Sequence, residues 1–171
     1  MKKTLYLLLF VLLASVSAKA QTGWITKKLD DKLSVKFPSE PKLTNNNGLD
    51  IYTAKGKDSV GYIANVVDFK VVANLDSATL ASMKDSPMFA DQIKSGMTGS
   101  MPNFTLGDIA LGKWKTYTTY TIAGTGNTKK DKILIYMLLI GTKMYTLSCL
   151  IPHALVTKNN EVFFASPELL K

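Results

Sequence analysis

The chain has 171 residues, 46% of them hydrophobic, one cysteine, one histidine and a formal net charge of +8. Every basic residue is a lysine, and without the planar guanidinium fork that reads phosphate and guanine edges the chain is a poor sequence-specific nucleic-acid binder. A single thiol excludes an internal disulfide, so a folded domain must be held by its core.

In chain order the first element is MKKTLYLLLFVLLASVSAKAQT, with Lys2 and Lys3, an apolar run from Leu5 to Ala14, and small residues at Ala18 and Ala20. This order predicts a secretory signal, residues 1–20, cleaved after Ala20. The apolar run is about ten residues, against roughly 20 needed to cross a bilayer as a helix. No cysteine lies near the cleavage point to carry a lipid, and no later run reaches spanning length. Residues 21–171 are then expected to be one exported domain, in the periplasm or outside the cell. Three lysines leave with the signal (Lys2, Lys3 and Lys19), and the mature charge is about +5. A lysine-rich chain of this kind is attracted weakly to anionic surfaces.

Next, GWITKKLDDKLSVKFPSEPK reads as two short strands; Leu33, Val35 and Phe37 form an apolar face at period two, and Pro38 and Pro41 end it. NNNG at 45–48 is a turn before the strands LDIYTA and SVGYIANVVDF. The spacing then moves toward 3.6 residues. Asp76 or Ser77 caps a helix to about Lys84, and Ser86-Pro87 offers a fresh cap, giving either one helix broken at Pro87 or two short ones. Beyond Pro87, Phe89, Ile93 and Met97 share a face.

From Phe104 the pattern returns to strands: FTLGDIALG, WKTYTTYTIAG, KILIYMLLI and KMYTLSCLI. The polar loop TGNTKKDK and a tight hairpin at Gly141-Thr142 lie among them. KILIYMLLI is apolar at nearly every position and is expected to be central, covered by helices on both sides. ALVTKNNEVFFASPELLK is expected to be helical from about Leu155 to Phe164. The whole predicts a single α+β domain: a mostly antiparallel sheet with helices on both faces.

DKLSVKFPSEP, IALGKWKTYTTY, GTKMYTLSCLIP and EVFFASPELL together resemble the PsbP-like and DcrB-like group of small exported α/β proteins over most of residues 24–169. The resemblance implies an antiparallel sheet between helices and a binding or assembly role, with no shared catalytic residues to carry over.

Chemistry-bearing residues are sparse. Cys149 and His153 lie four apart, but on an extended chain that is roughly 13 Å, and Tyr145, Leu147, Cys149 and Ile151 share an apolar strand face that Pro152 ends. Cys149 reads as a buried structural thiol. Met83, Met88, Met97 and Met101 lack the spacing of a cuprous site, and one histidine with one cysteine does not make a zinc site. GTGNTKK lacks the phosphate-loop spacing and a following helix. Asp30, Asp31, Asp50 and Asp58 lie in or beside turns, and Asn103 opens a glycosylation sequon. No catalytic, cofactor or metal residue is therefore expected.

The residues best suited to a ligand or partner are Met83, Phe89, Ile93 and Met97 of the helices, and Trp114 and Tyr117 of WKTYTTY. Strand alternation through WKTYTTY sets Trp114, Thr116, Thr118 and Tyr120 on one face and Lys115, Tyr117 and Thr119 on the other. The expected function is a non-enzymatic exported protein that binds a partner protein, an envelope component or an apolar ligand such as a lipid. The alternative is a hydrolytic enzyme whose carboxylates the sequence does not identify.

Overall fold

A computed structural model of the chain describes residues 23–46 and 48–171; the expected signal and Asn47 of the NNNG turn lie outside them. Strands β1 (Ile25–Lys28) and β2 (Leu33–Phe37) open the chain, followed by β3 (Lys42–Asn46), β4 (Leu49–Lys55) and β5 (Gly61–Asp68). Three helices follow: α1 (Phe69–Val72), α2 (Ser77–Met83) and α3 (Pro87–Ser100). The chain then runs through β6 (Phe104–Leu106), β7 (Ala110–Trp114), β8 (Tyr117–Gly126), β9 (Lys132–Ile140) and β10 (Lys143–Ile151). Helix α4 (Asn159–Phe164) and strand β11 (Glu168–Leu169) close it.

The strands make two sheets. The larger has the order β3-β4-β5-β10-β9-β8-β6, with β7 also on β8; the smaller has the order β1-β2-β11. Every pairing is antiparallel. β10 lies at the middle of the large sheet with the apolar β9 beside it, which accounts for their burial on both faces.

The two faces of the large sheet are covered differently. On one, Tyr62, Ala64, Leu138, Ile140, Tyr145, Leu147 and Cys149 pack against Leu33, Val35 and Phe37 of the small sheet and Phe163 of α4. On the other, Tyr120, Ile122, Ile135, Met137 and Leu139 pack against Leu80 of α2 and Phe89 and Ala90 of α3. The period of two in LSVKF and the period near 3.6 after Pro87 each meet a face of the same sheet.

The helix starts follow their caps. The Asp76 side chain accepts from the Thr79 backbone N–H, and the Ser86 hydroxyl accepts from that of Phe89 with Pro87 at the first turn.

Four expectations are corrected. WKTYTTYTIAG is not one strand: Lys115 takes a positive φ of 55°, and Lys115-Thr116 form the turn between β7 and β8. FTLGDIALG is two strands, because Gly107 to Ile109 leave the ladder between them. The strand expected in SVGYIANVVDF stands as β5 as far as Asp68, but its last residue, Phe69, opens α1, which the Asp68 side chain starts by accepting from the Lys70 N–H. Helix α4 begins only at Asn159; Ala154 sits at φ +65°, outside helical backbone, and β11 follows the helix.

Candidate functional site

Cys149 is fully buried and its thiol is free. Burial first, then the Asp58 charge, push its pKa up to about 12, opposite to what a nucleophilic thiolate needs. His153 stands exposed beyond the end of β10, and its backbone N–H donates to Asp131 Oδ1 at 3.0 Å. The thiol is thus buried and the histidine exposed, as expected from the apolar strand face that Pro152 ends.

The partly buried carboxylates serve the fold. Asp58 Oδ2 accepts from Asn159 Nδ2 at 2.7 Å, Thr157 Oγ1 at 3.3 Å and the Tyr62 hydroxyl at 3.3 Å, and Oδ1 accepts from the Val60 N–H at 3.2 Å. Burial opposes its ionisation, but these bonds outweigh it and hold the carboxyl below its ordinary value. Asp30 is held in the same way in the β1–β2 turn. Asp31 reaches Lys143 Nζ at 3.3 Å, and Asp50 bonds Asn45 across the β3–β4 hairpin at 2.7 Å.

The residues singled out for binding fall in two places. Met83, Phe89, Ile93 and Met97 pack against the helix-covered face of the large sheet, with Phe89 buried and the other three partly buried. Its ring meets Phe69 and Tyr120 edge-on at 6.0 Å each. Trp114 and Tyr117 pack toward the opposite face. They are not on two sides of one strand: the turn makes them cross-strand partners, stacked at 6.2 Å with planes 29° apart. Lys115 Nζ lies 4.5 Å from the Trp114 ring centre, a cation–π contact within the turn.

Sequence reasoning missed the polar cluster that joins this hairpin to the helices. Asp85, between α2 and α3, accepts from Lys113 Nζ and the Thr118 hydroxyl at 2.7 Å each and from Lys84 Nζ at 2.8 Å. The bonds from Lys113, Lys84 and Thr118 hold its carboxyl well below the usual carboxylate range. The Tyr120 hydroxyl donates to the Lys84 carbonyl. Asp85 lies 28 residues from Lys113 and 33 from Thr118, so no local pattern marks the cluster. Beside it is a cleft of about 110 Å³ between α2 and the β7–β8 turn, lined by Ser77, Lys84, Thr116, Tyr117 and Thr118. Hydroxyl donors, an ammonium and an aromatic edge suit a small polar ligand. The ionised Asp85 has no proton to give near neutral pH.

A larger open cleft of about 420 Å³ lies between the start of β1 and α4. Trp24, Val162 and Ala165 form its apolar wall, with Lys36, Glu161 and Ser166 around them. Trp24 is fixed edge-on against Tyr62 at 5.6 Å. No His, Cys, Asp or Glu cluster among the described residues has the arrangement of a metal site. No helix among them is long and apolar enough to cross a membrane.

No protein-family model matches the chain, and no curated protein matches it in sequence. Solved structures do resemble it. The solution structure of cyanobacterial PsbP (CyanoP) from Synechocystis sp. PCC 6803 is 8% identical, with a TM-score of 0.55 over 89% of this chain and 95% of that one. A crystal structure from Bacteroides thetaiotaomicron VPI-5482 is 13% identical, with a TM-score of 0.48 over 84% of this chain; the chain spans half the length of that protein. At these identities the likeness to the PsbP structure concerns the fold alone, and the fold is PsbP-like.

Proposed function

We propose that this chain is a non-enzymatic exported protein that binds a partner protein, an envelope component or an apolar ligand. In this reading residues 1–20 are the cleaved signal, and the PsbP-like domain, with α2–α3 on one face and α4 on the other, presents binding residues. Membership of the PsbP-like and DcrB-like group is part of the proposal.

One observation carries it: the groups with reactive potential are spent inside the fold. The thiol is buried with a raised pKa, and Asp30, Asp58 and Asp85 are each held ionised by three or more donors. By contrast, large apolar side chains stand in solvent, with Val71 80%, Val72 65%, Met88 64% and Val156 94% exposed. Apolar surface left in water favours association.

The test is cross-linking of the chain in its native host, with mass spectrometry of its adducts and organic extraction of the purified protein. A reproducible adduct or a stoichiometric apolar ligand is expected, and Trp114→Ala with Tyr117→Ala should weaken an adduct formed at the hairpin. Un-adducted protein with a clean extract would overturn the binding reading.

A further inference from the structure

Strand register brings one row of residues to the same end of the large sheet. Lys55 of β4 lies opposite Gly61 of β5, Gly61 opposite Leu150 of β10, and Ile151 of β10 opposite Lys132 of β9, which in turn faces Thr125 of β8. The loops 56–60, 127–131 and 152–158 therefore leave the sheet side by side. Hydrogen bonds fasten them to one another: Asp58 takes Thr157 and Asn159, and Asp131 takes the backbone N–H of His153.

This fastened platform is basic. Lys55, Lys57, Lys129, Lys130, Lys132 and Lys158 are all exposed, and none belongs to an ion pair among the described residues. Its own carboxylates, Asp58 and Asp131, accept bonds from the loops, while Glu161 lies further along α4 beside Trp24 and Lys36. At the other end of the strands Asp30, Asp31 and Asp85 are paired with lysines, and Asp68 and Asp76 cap helices. Six lysines against two carboxylates leave the loop end with a net charge of about +4.

The same end also holds an apolar point. Val156 is 94% exposed, whereas its neighbour Leu155 packs partly into the core and anchors the loop. The Leu155 N–H bonds back to the Pro152 carbonyl at 3.1 Å. A valine held out by a fixed loop among six lysines suits a phase with an anionic surface and an apolar interior. Lysine gives diffuse attraction rather than forked recognition of one phosphate. None of these lysines lines the clefts at Trp24, Ile122 or Tyr117.

We infer that this end of the domain docks on a bilayer of anionic lipids, lysines against the headgroups and Val156 inserted at the acyl boundary. The inference rests on the binding reading above and names its partner: a lipid surface, not a soluble polyanion or an enclosed lipid.

The mature chain is tested by flotation with vesicles of phosphatidylcholine alone and with one-third phosphatidylglycerol. Binding is expected only to the anionic vesicles, and it should fall as salt shortens the screening length. Each lysine near such a surface is worth about fivefold in affinity. Lys129→Gln/Lys130→Gln/Lys132→Gln should therefore weaken binding on the order of a hundredfold. Lys28→Gln/Lys32→Gln/Lys70→Gln, at the other end, should change it little. Val156→Asp should weaken binding and Val156→Leu strengthen it, because insertion needs apolar area. No binding to anionic vesicles at low salt, equal losses from the two lysine triples, or indifference to Val156 would each overturn the assignment. Failure here removes the lipid surface alone; the cross-linking experiment reads the broader binding proposal separately.

Discussion

Asp30 is the most heavily bonded carboxylate joining the two sheets, and its replacement by asparagine isolates what that bond set contributes. Its Oδ1 accepts from the backbone N–H groups of Lys32 at 2.8 Å and Leu33 at 3.1 Å, which closes the β1–β2 turn. Its Oδ2 accepts from Lys143 Nζ and the Tyr145 hydroxyl, both at 2.7 Å, from the central strand β10. Asp30→Asn keeps the shape but turns one acceptor into a donor, which must then face either two N–H groups or Lys143 and Tyr145. A hydrogen bond to a charged group is worth about 1.5–3 kcal/mol, and breaking a buried ion pair costs about 3–5 kcal/mol. The Asp30 side chain is 16% exposed and that of Lys143 24%, so the lower part of that range applies, about 3 kcal/mol. With an m-value near 2 kcal/mol/M this lowers the urea midpoint by about 1.5 M. Tryptophan fluorescence from Trp24 and Trp114 reads the transition. The pH dependence carries the same sign. Burial opposes ionisation of Asp30, but the bonds from Lys143, Tyr145, Lys32 and Leu33 outweigh it and hold its carboxyl below the ordinary value. Its stabilisation is therefore complete above an unfolded pKa of about 4 and lost as pH falls through the folded value. The gap between wild type and Asp30→Asn should narrow on acidification. A midpoint loss under about 0.5 M, with no narrowing in acid, would place this pair with weak surface ion pairs and refute the reasoning.

Cys149 should react with a water-soluble thiol reagent only as fast as the protein unfolds, and Cys149→Ala should cost about 1–2 kcal/mol through a small cavity; rapid labelling of native protein would contradict its burial. Ser86→Ala should cost about 1 kcal/mol by leaving the Phe89 N–H unpaired at the start of α3, read from the thermal midpoint, and an unchanged midpoint would remove the cap. Gly124→Ala should cost about 1–3 kcal/mol by overpacking. An added Cβ there would lie 2.7 Å from Leu106 Cδ2, 3.0 Å from Ile133 Cγ2 and 3.1 Å from the Thr105 carbonyl, forcing β6 off β8. Full stability of that variant would mean β6 moves freely.

The elements legible in the sequence are those whose period meets a buried face. Leu33, Val35 and Phe37 alternate and are all fully buried, and Tyr145, Leu147 and Cys149 do the same on β10. Ser86-Pro87 marks the start of α3 because capping is a local interaction. The β7–β8 turn is hidden because WKTYTTY alternates through it; the positive φ falls on Lys115, where glycine or asparagine would have signalled it. Helix α4 is over-read because LVTKNNEVFF carries no glycine or proline to mark a start, while the Asp58 bonds to Thr157 and Asn159 fix where it begins. Such bonds span about a hundred residues and leave no mark on a local window.

The same distinction separates the two candidate binding regions. Phe89, Ile93 and Met97 lie within one helix, where helical spacing alone places them on one side; Met83 of α2 joins them only through the fold. Alternation alone misplaces Trp114 and Tyr117: a turn between them reverses which residues are neighbours, so alternation assigns them opposite faces and the hairpin stacks them. The basic end is harder still. Its six lysines occupy three separate stretches between Lys55 and Lys158, and only the order β4-β5-β10-β9-β8 makes those stretches adjacent. A +8 chain read along its length shows lysine scattered among aspartates. Folding sorts them: aspartates at one end of the strands take lysine partners or cap helices, and at the other end two aspartates face six lysines. Charge segregation of this kind belongs to strand order, a property of the whole sheet, and it is there that a surface-binding role acquires a direction.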